Sequence, residues 1–207
     1  MSGTELRIGV LGSGSGTNCE AILEACEKGR IPGRVVIVVS DVADAFILER
    51  ARKRGIAAEF VGPSQFKTKL EPELEQRIVE LLRQAGVQLV ALAGYMRVLK
   101  APLLEAFAGR IMNVHPSLLP AFPGLRAWEQ AVQYGAKVTG CTVHFVDAGV
   151  DRGPVILQRP VPVFANDTPE SLHRRIQVAE HELLPEAIRL FAEGKLQVAG
   201  RTVKILE

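Results

Sequence analysis

The sequence contains little that would direct it to an oxidising compartment, a membrane or a charged polymer. Cysteine is scarce: Cys19, Cys26 and Cys141 are odd in number and lack C-x-x-C spacing. Neither a disulfide framework nor a zinc site is implied, and a cytosolic, cytoplasmic setting is the expectation. Charge of one sign is also lacking, with 25 basic against 23 acidic residues and no long like-charge block. That balance gives no electrostatic footprint for nucleic acid or an anionic membrane. No apolar run approaches the roughly 20 residues that span a bilayer. The N-terminus lacks a basic region followed by a signal-length apolar stretch, so a soluble protein is expected. Repeats, low-complexity tracts and clear linkers are absent too. The 207 residues, 47% of them hydrophobic, are enough for one sizeable core, and a single domain over 1–207 is expected.

What is present alternates between strands and helices. Leu6 to Leu11 reads as a short strand, followed by the glycine loop Gly12-Ser13-Gly14-Ser15-Gly16-Thr17 and a helix from about Asn18 to Lys28. Strand, glycine loop and helix together form an anion cradle, because loop amides and a helix N-terminus present N–H donors. The glycines alone also fit a plain tight turn. Further strands are expected at Val35 to Ser40, Ile56 to Val61 and Val87 to Ala93, and helices at about Ala43 to Arg54 and Glu71 to Gln84. This alternation predicts an α/β fold with a mainly parallel, Rossmann-like doubly wound sheet. Ligands in such sheets sit at the C-terminal ends of strands. A nicotinamide enzyme fits poorly, since Thr17 stands where the third fingerprint glycine belongs, although Asp41 could mimic the ribose-binding acid. No Gly-Lys-Ser/Thr follows, so the loop is not a Walker loop.

The second half reads as Ile111 to Val114, a buried strand end; Leu125 to Tyr134, a helix; and Thr139 to Val146, a strand. In the last, Cys141, Val143 and Phe145 share one face while Thr142 and His144 share the other. Val155 to Val163 is extended, with prolines that suggest an edge or a bend. A long helix begins near Asp167-Thr168-Pro169-Glu170 and reaches about Glu193, with Pro185 expected to kink it. Leu196 to Val198 and Thr202 to Leu206 could form a terminal hairpin around Gly200. The C-terminal extension is therefore expected to be irregular or antiparallel.

The stretch with most chemistry is Asn113-Val114-His115-Pro116-Ser117-Leu118-Leu119-Pro120. Strand alternation points Asn113 and His115 the same way, so they can address one reacting group. Pro116 keeps His115 extended and Pro120 prevents an early helix. A bare Asn-x-His could equally be a turn cap beside a surface histidine. Downstream, Val143 to Pro154 runs from a strand into a loop with two glycines and two aspartates, Asp147 and Asp151.

Together these strings resemble the folate-dependent formyltransferase family, and within it the branch that formylates glycinamide ribonucleotide in purine synthesis. Gly12 to Asn18, Ala93-Gly94-Tyr95-Met96-Arg97-Val98-Leu99 and Glu180-His181 also fit, in order, so the resemblance covers nearly the whole chain. It implies the formyltransferase fold, with a phosphate-binding half at about 1–110 and a catalytic and folate-binding half at about 111–207. It implies 10-formyltetrahydrofolate as co-substrate, no metal, small-molecule partners (glycinamide ribonucleotide and a reduced folate), no nucleic acid or membrane partner, and room for a homodimer. Asn113, His115 and Asp151 become the implied catalytic set, with Asn113 also touching the folate. Asn113 would donate to the oxyanion, and protonated His115 would stabilise that charge and act as acid. Asp151, folded back on the ring, would favour its protonated form and take up a proton. Gly16, Thr17 and Asn18 would hold the ribonucleotide phosphate. Met96, Arg97, Val98 and Leu99 would line the folate site, with Lys69 near the folate tail or simply solvated.

Glu180 shares an apolar helical stripe with Ile176, Leu183 and Leu184. Such a carboxylate needs a partner. A salt bridge to Arg174 or Arg175 is one reading; the resemblance makes Glu180 a ligand of ribose hydroxyls. His144 is placed beside the site, whereas His173 and His181 read as surface or helix residues. Ala121 and Arg126 depart from the family's commonest pattern, which has lysine and histidine there. Related methionyl-tRNA formyltransferases carry an added C-terminal RNA-contacting domain, where the last expected helix here leaves only Gly194 to Glu207. Formyltetrahydrofolate hydrolases use water as acceptor, and a non-catalytic nucleotide-binding module would keep the glycine loop alone.

Overall fold

The structure is a computed structural model that describes residues 5–207; Met1 to Thr4, within the expected domain span, lie outside the described residues. It comprises two compact units whose boundary falls between Met112 and Asn113. In the first unit, β1 (Leu6–Leu11), β2 (Gly33–Ser40), β3 (Ala57–Phe60) and β4 (Leu89–Leu92) alternate with α1 (Thr17–Glu27), α2 (Phe46–Lys53) and α3 (Pro72–Gln84). The strand order is β3-β2-β1-β4 and the pairings are parallel. The apolar runs of β1, β2 and β4 are almost wholly buried, whereas β3, at the end of the order, is largely exposed. Gly9 allows α3 to approach the sheet: a Cβ there would lie 2.7 Å from Leu82 and 3.0 Å from Val87.

A helix that the sequence pattern did not indicate, α4 (Ala101–Ala106), follows β4. Its N-terminus is capped from a distance. The buried carboxylate of Glu75, on α3, accepts the backbone N–H of Lys100 at 2.9 Å and that of Leu103. Burial pushes the Glu75 carboxyl above its usual range, while these N–H bonds and Lys100 act in the opposite direction. Losing both acceptors in Glu75→Ala should cost about 2 kcal/mol and lower Tm by roughly 4–8 °C. Glu75→Gln, which keeps one acceptor without the charge, should be far milder. Because the folded-state pKa is raised, the carboxylate's contribution is fully favourable below the ordinary glutamate range and weakens as pH rises. The wild type should therefore gain stability relative to Glu75→Gln as pH falls from 7 toward 4; thermal melts across that range check the sign.

From β5 (Ile111–His115), inside which the boundary falls, the strand order runs β5-β6-β7-β9-β8, with β6 (Val138–Phe145), β7 (Val155–Pro162), β8 (Leu196–Ala199) and β9 (Thr202–Ile205) in the second unit. The β6/β7 and β8/β9 pairs are antiparallel, so a parallel sheet in the first unit gives way to the expected antiparallel C-terminal strands. β7 is not the edge that its prolines suggested, because β9 follows it. It pairs with β9 only at Val155↔Thr202, however, so Pro160 and Pro162 fall where no second ladder needs their missing N–H groups.

Helix α5 (Ala127–Tyr134) precedes β6, and α6 (Pro169–Ala192) packs on β6 and β7. A reciprocal cap between Thr168 and Ser171 starts α6, which continues through Pro185. Asp167 accepts from both Arg175 guanidinium nitrogens, from Ser171 and from the Phe164 N–H. These bonds, led by Arg175, hold its carboxyl well below the usual range.

Candidate active site

At the end of β5, Asn113 and His115 each meet a partner brought by β6 or the loop after it. The Asn113 Nδ2 group donates to His144 Nε2 at 3.2 Å. His115 places Nδ1 3.4 Å from Asp151 Oδ2 and directs Nε2 at the Phe122 carbonyl, 2.9 Å away. All three of Asn113, His115 and Asp151 are thus gathered in the second unit.

The two histidines have opposite surroundings. His115, 4% exposed, faces an oxygen at each ring nitrogen. His144 directs Nδ1 at the Phe145 carbonyl, 2.8 Å away. A carbonyl only accepts, so Nδ1 carries the proton and Nε2 presents its lone pair to Asn113. Burial pushes the His144 pKa down, against the Phe145 bond and the Asp151 charge, and so keeps the ring neutral. Asp151 Oδ1 is 3.9 Å from that Nε2, too far for a hydrogen bond. The amide of Asn113 is therefore oriented by an acceptor.

The backbone around this group is held tightly. Among the described residues, the non-glycine residues with left-handed backbone, Phe122, Arg126 and Asp151, all lie in the surrounding loops. The Gly124 N–H binds Asp151 Oδ2 at 2.8 Å, joining the two loops that close on His115. Thr142 donates to the Ser117 carbonyl at 2.7 Å and accepts from the Leu119 N–H at 3.0 Å, while Gln158 donates to the Leu119 carbonyl. The Pro116 to Pro120 turn is thereby fixed to β6 and β7. Gly153 passes so close to the Phe145 carbonyl that no Cβ fits there.

In the first unit the glycine loop meets the segment after β4. The Ser13 N–H donates to the Gly94 carbonyl at 3.1 Å, and Ser13 Oγ accepts from the Met96 N–H at 2.9 Å. Asp41 binds Ser13 Oγ with one carboxylate oxygen and Arg97 Nε with the other, each at 2.5 Å. Both oxygens being engaged by protein, Asp41 is not presented as a ribose-binding acid, and the dinucleotide reading loses its second support. Arg97 also donates to the Phe66 carbonyl, and the Val98 N–H to the Thr68 carbonyl. Lys69, exposed, lies 4.3 Å over the Phe66 ring. Met96 is exposed and Leu99 buried, so this segment shows one apolar side chain outward and anchors another. Gly16, in left-handed conformation, precedes α1 without a side-chain cap, and Thr17 and Asn18 form the helix start.

Glu180 is buried on α6, and Arg175, one of its expected partners, is committed to Asp167 and the Pro162 carbonyl. His173 stacks on Trp128 with ring centroids 3.7 Å apart. Cys141 is in the core, its thiol pushed up to about 12 by burial. Among the described residues, no group of three or more His, Cys, Asp or Glu is placed to hold a metal ion, and no helix is long and apolar enough to cross a membrane.

A sequence profile described as formyl transferase matches residues 6–188. The chain belongs to the formyl transferase family. Phosphoribosylglycinamide formyltransferase of Escherichia coli (strain K12) is 42% identical over 193 residues, which are 93% of this chain and 90% of that protein. The human trifunctional purine biosynthetic protein adenosine-3 is 39% identical over 96% of this chain, a stretch that makes up 19% of that longer protein. The crystal structure of glycinamide ribonucleotide transformylase 1 from Symbiobacterium toebii matches with a TM-score of 0.94 and 57% identity, covering 98% of this chain and 95% of that one. For a formyl transferase, the residues whose supporting contacts motif reading did not give are Ser13, Thr142 and Gln158, and Asp41, which it assigned to another task. Their partners are distant in sequence, so no local pattern marks them.

Proposed function

We propose that this chain transfers the formyl group of 10-formyltetrahydrofolate to the amine of 5-phosphoribosylglycinamide, giving N-formylglycinamide ribonucleotide and tetrahydrofolate in purine biosynthesis in the cytoplasm. The observation that carries this reading is the likeness to a glycinamide ribonucleotide transformylase over nearly the whole chain. The gathering of Asn113, His115 and Asp151 supports it. The amine nitrogen attacks the formyl carbon, and the carbonyl oxygen becomes an oxyanion. The free Asn113 N–H and the positive His115 ring stabilise that oxyanion. His115 supplies a proton to the departing folate nitrogen as its bond to carbon breaks, and Asp151 holds the ring and takes up the proton that the amine loses. Gly16, Thr17 and Asn18 bind the phosphate and Glu180 the sugar hydroxyls. Met96 to Leu99 take the folate, Arg97 acting as the segment's anchor through Asp41, and Lys69 meets the acidic folate tail.

On this reading His144 acts through Asn113. His144→Leu should lower kcat by about 10- to 100-fold with KM little changed, because the amide loses its acceptor and its orientation. His144→Gln, whose carbonyl can accept the same N–H, should recover much of the loss in steady-state assays.

The function is tested by following folate absorbance with and without glycinamide ribonucleotide. Formyl loss that depends on the ribonucleotide is expected. Equal loss without it would mean a hydrolase, and no loss in either case a binding module.

A further inference from the structure

The glycine loop is held from one side by α2. The Gly14 carbonyl accepts the Ile47 N–H at 3.1 Å, and the Ser15 carbonyl accepts Arg50 Nε at 2.8 Å. In a trans peptide the C=O and the following N–H point in opposite directions. Fixing these two carbonyls on α2 therefore turns the N–H groups of Ser15 and Gly16 away from it. The same packing requires glycine at position 16: its φ is +72°, and a Cβ would lie 2.7 Å from Ile47. The Gly12 and Ser13 N–H groups are spent on the Val39 and Gly94 carbonyls.

Arg50 is itself fixed. Its Nη1 lies 3.1 Å from Glu20 Oε2, and its guanidinium lies 4.8 Å over the Phe46 ring. Glu20 also pairs with Arg54. Arg54 pairs with Glu27 as well, so two carboxylates face the two guanidinium groups, and the Nε bond to Ser15 is the link of Arg50 to the loop.

We propose that Arg50 is a positioning residue for phosphate-monoester binding: by holding the Ser15 carbonyl it keeps the Ser15–Gly16 peptide in the orientation that presents its N–H to the anion. Without Arg50 this peptide, flanked by glycine, is free to turn and present its carbonyl oxygen to the phosphate. This rests on the assignment of Gly16 to Asn18 to the ribonucleotide phosphate.

The test is Arg50→Ala and Arg50→Lys, with inorganic phosphate binding followed by calorimetry and with kcat and both KM values measured. In Arg50→Ala, the phosphate Kd and the ribonucleotide KM should rise together by about 10- to 100-fold, while saturated kcat and the folate KM stay near wild type. Arg50→Lys should recover part of the loss. Unchanged phosphate affinity in folded Arg50→Ala overturns the proposal, as does a fall in kcat with KM unmoved, or a wild type that binds no phosphate. A wild type that binds phosphate but forms no product refutes the formyl-transfer reading instead, and the phosphate titrations still decide the role of Arg50.

Discussion

His115→Ala and Asp151→Asn are each expected to lower kcat by about 10³-fold while ribonucleotide binding largely survives. His115 is nearly buried, with Nδ1 against Asp151 and Nε2 against the Phe122 carbonyl. On the proposed roles, alanine removes the imidazole that stabilises the oxyanion and supplies the proton for the leaving nitrogen. Asparagine at 151 has nearly the same shape and can still accept the Gly124 N–H. On the proposed role of Asp151, it takes the charged partner from the ring and has no basic oxygen to receive the amine's proton. The two variants should therefore fail for linked reasons, and their double variant should be little worse than either alone, as groups acting as a unit are not additive. Steady-state kinetics beside calorimetric titration with the ribonucleotide checks this. Loss of ribonucleotide binding in well-folded variants would contradict the roles.

On the proposed role of Asn113 as an oxyanion donor, Asn113→Ala is expected to cost about 10²- to 10³-fold in kcat. The orientation of the amide by His144 adds a sharper expectation. In an Asn113→Ala background, the further change His144→Leu should do little, because the group it positions is already gone. A pair of independent, multiplying losses would mean that His144 acts on the reaction by another route. Single and double variants assayed at saturating substrates separate these outcomes.

Local signals were enough where an element is defined by its own residues. The apolar run of Leu6 to Leu11 is β1 as read, and the Thr168 and Pro169 start of α6 is an N-cap followed by an early proline. Asn113 and His115 were legible as a pair because a strand repeats every two residues. Asp151 joined them through the resemblance alone, since its approach depends on its own left-handed backbone and on the Gly124 N–H, neither of which a sequence pattern marks. Helix α4 was hidden for a similar reason. It is six residues long and its cap, Glu75, comes from another helix. Asp41 shows how a local reading can misassign a residue: placed just after β2, it looked like a ribose-binding acid, yet it joins Ser13 of the glycine loop to Arg97 of the segment after β4.

The central claim is that the formyl carbon passes to the ribonucleotide amine rather than to water. The most direct measurement supplies 10-formyltetrahydrofolate labelled with ¹³C in the formyl group, together with glycinamide ribonucleotide, and follows the label by NMR. The label should move into the formamide of N-formylglycinamide ribonucleotide, with little free formate. Label recovered as formate at an equal rate with or without the ribonucleotide would contradict the claim.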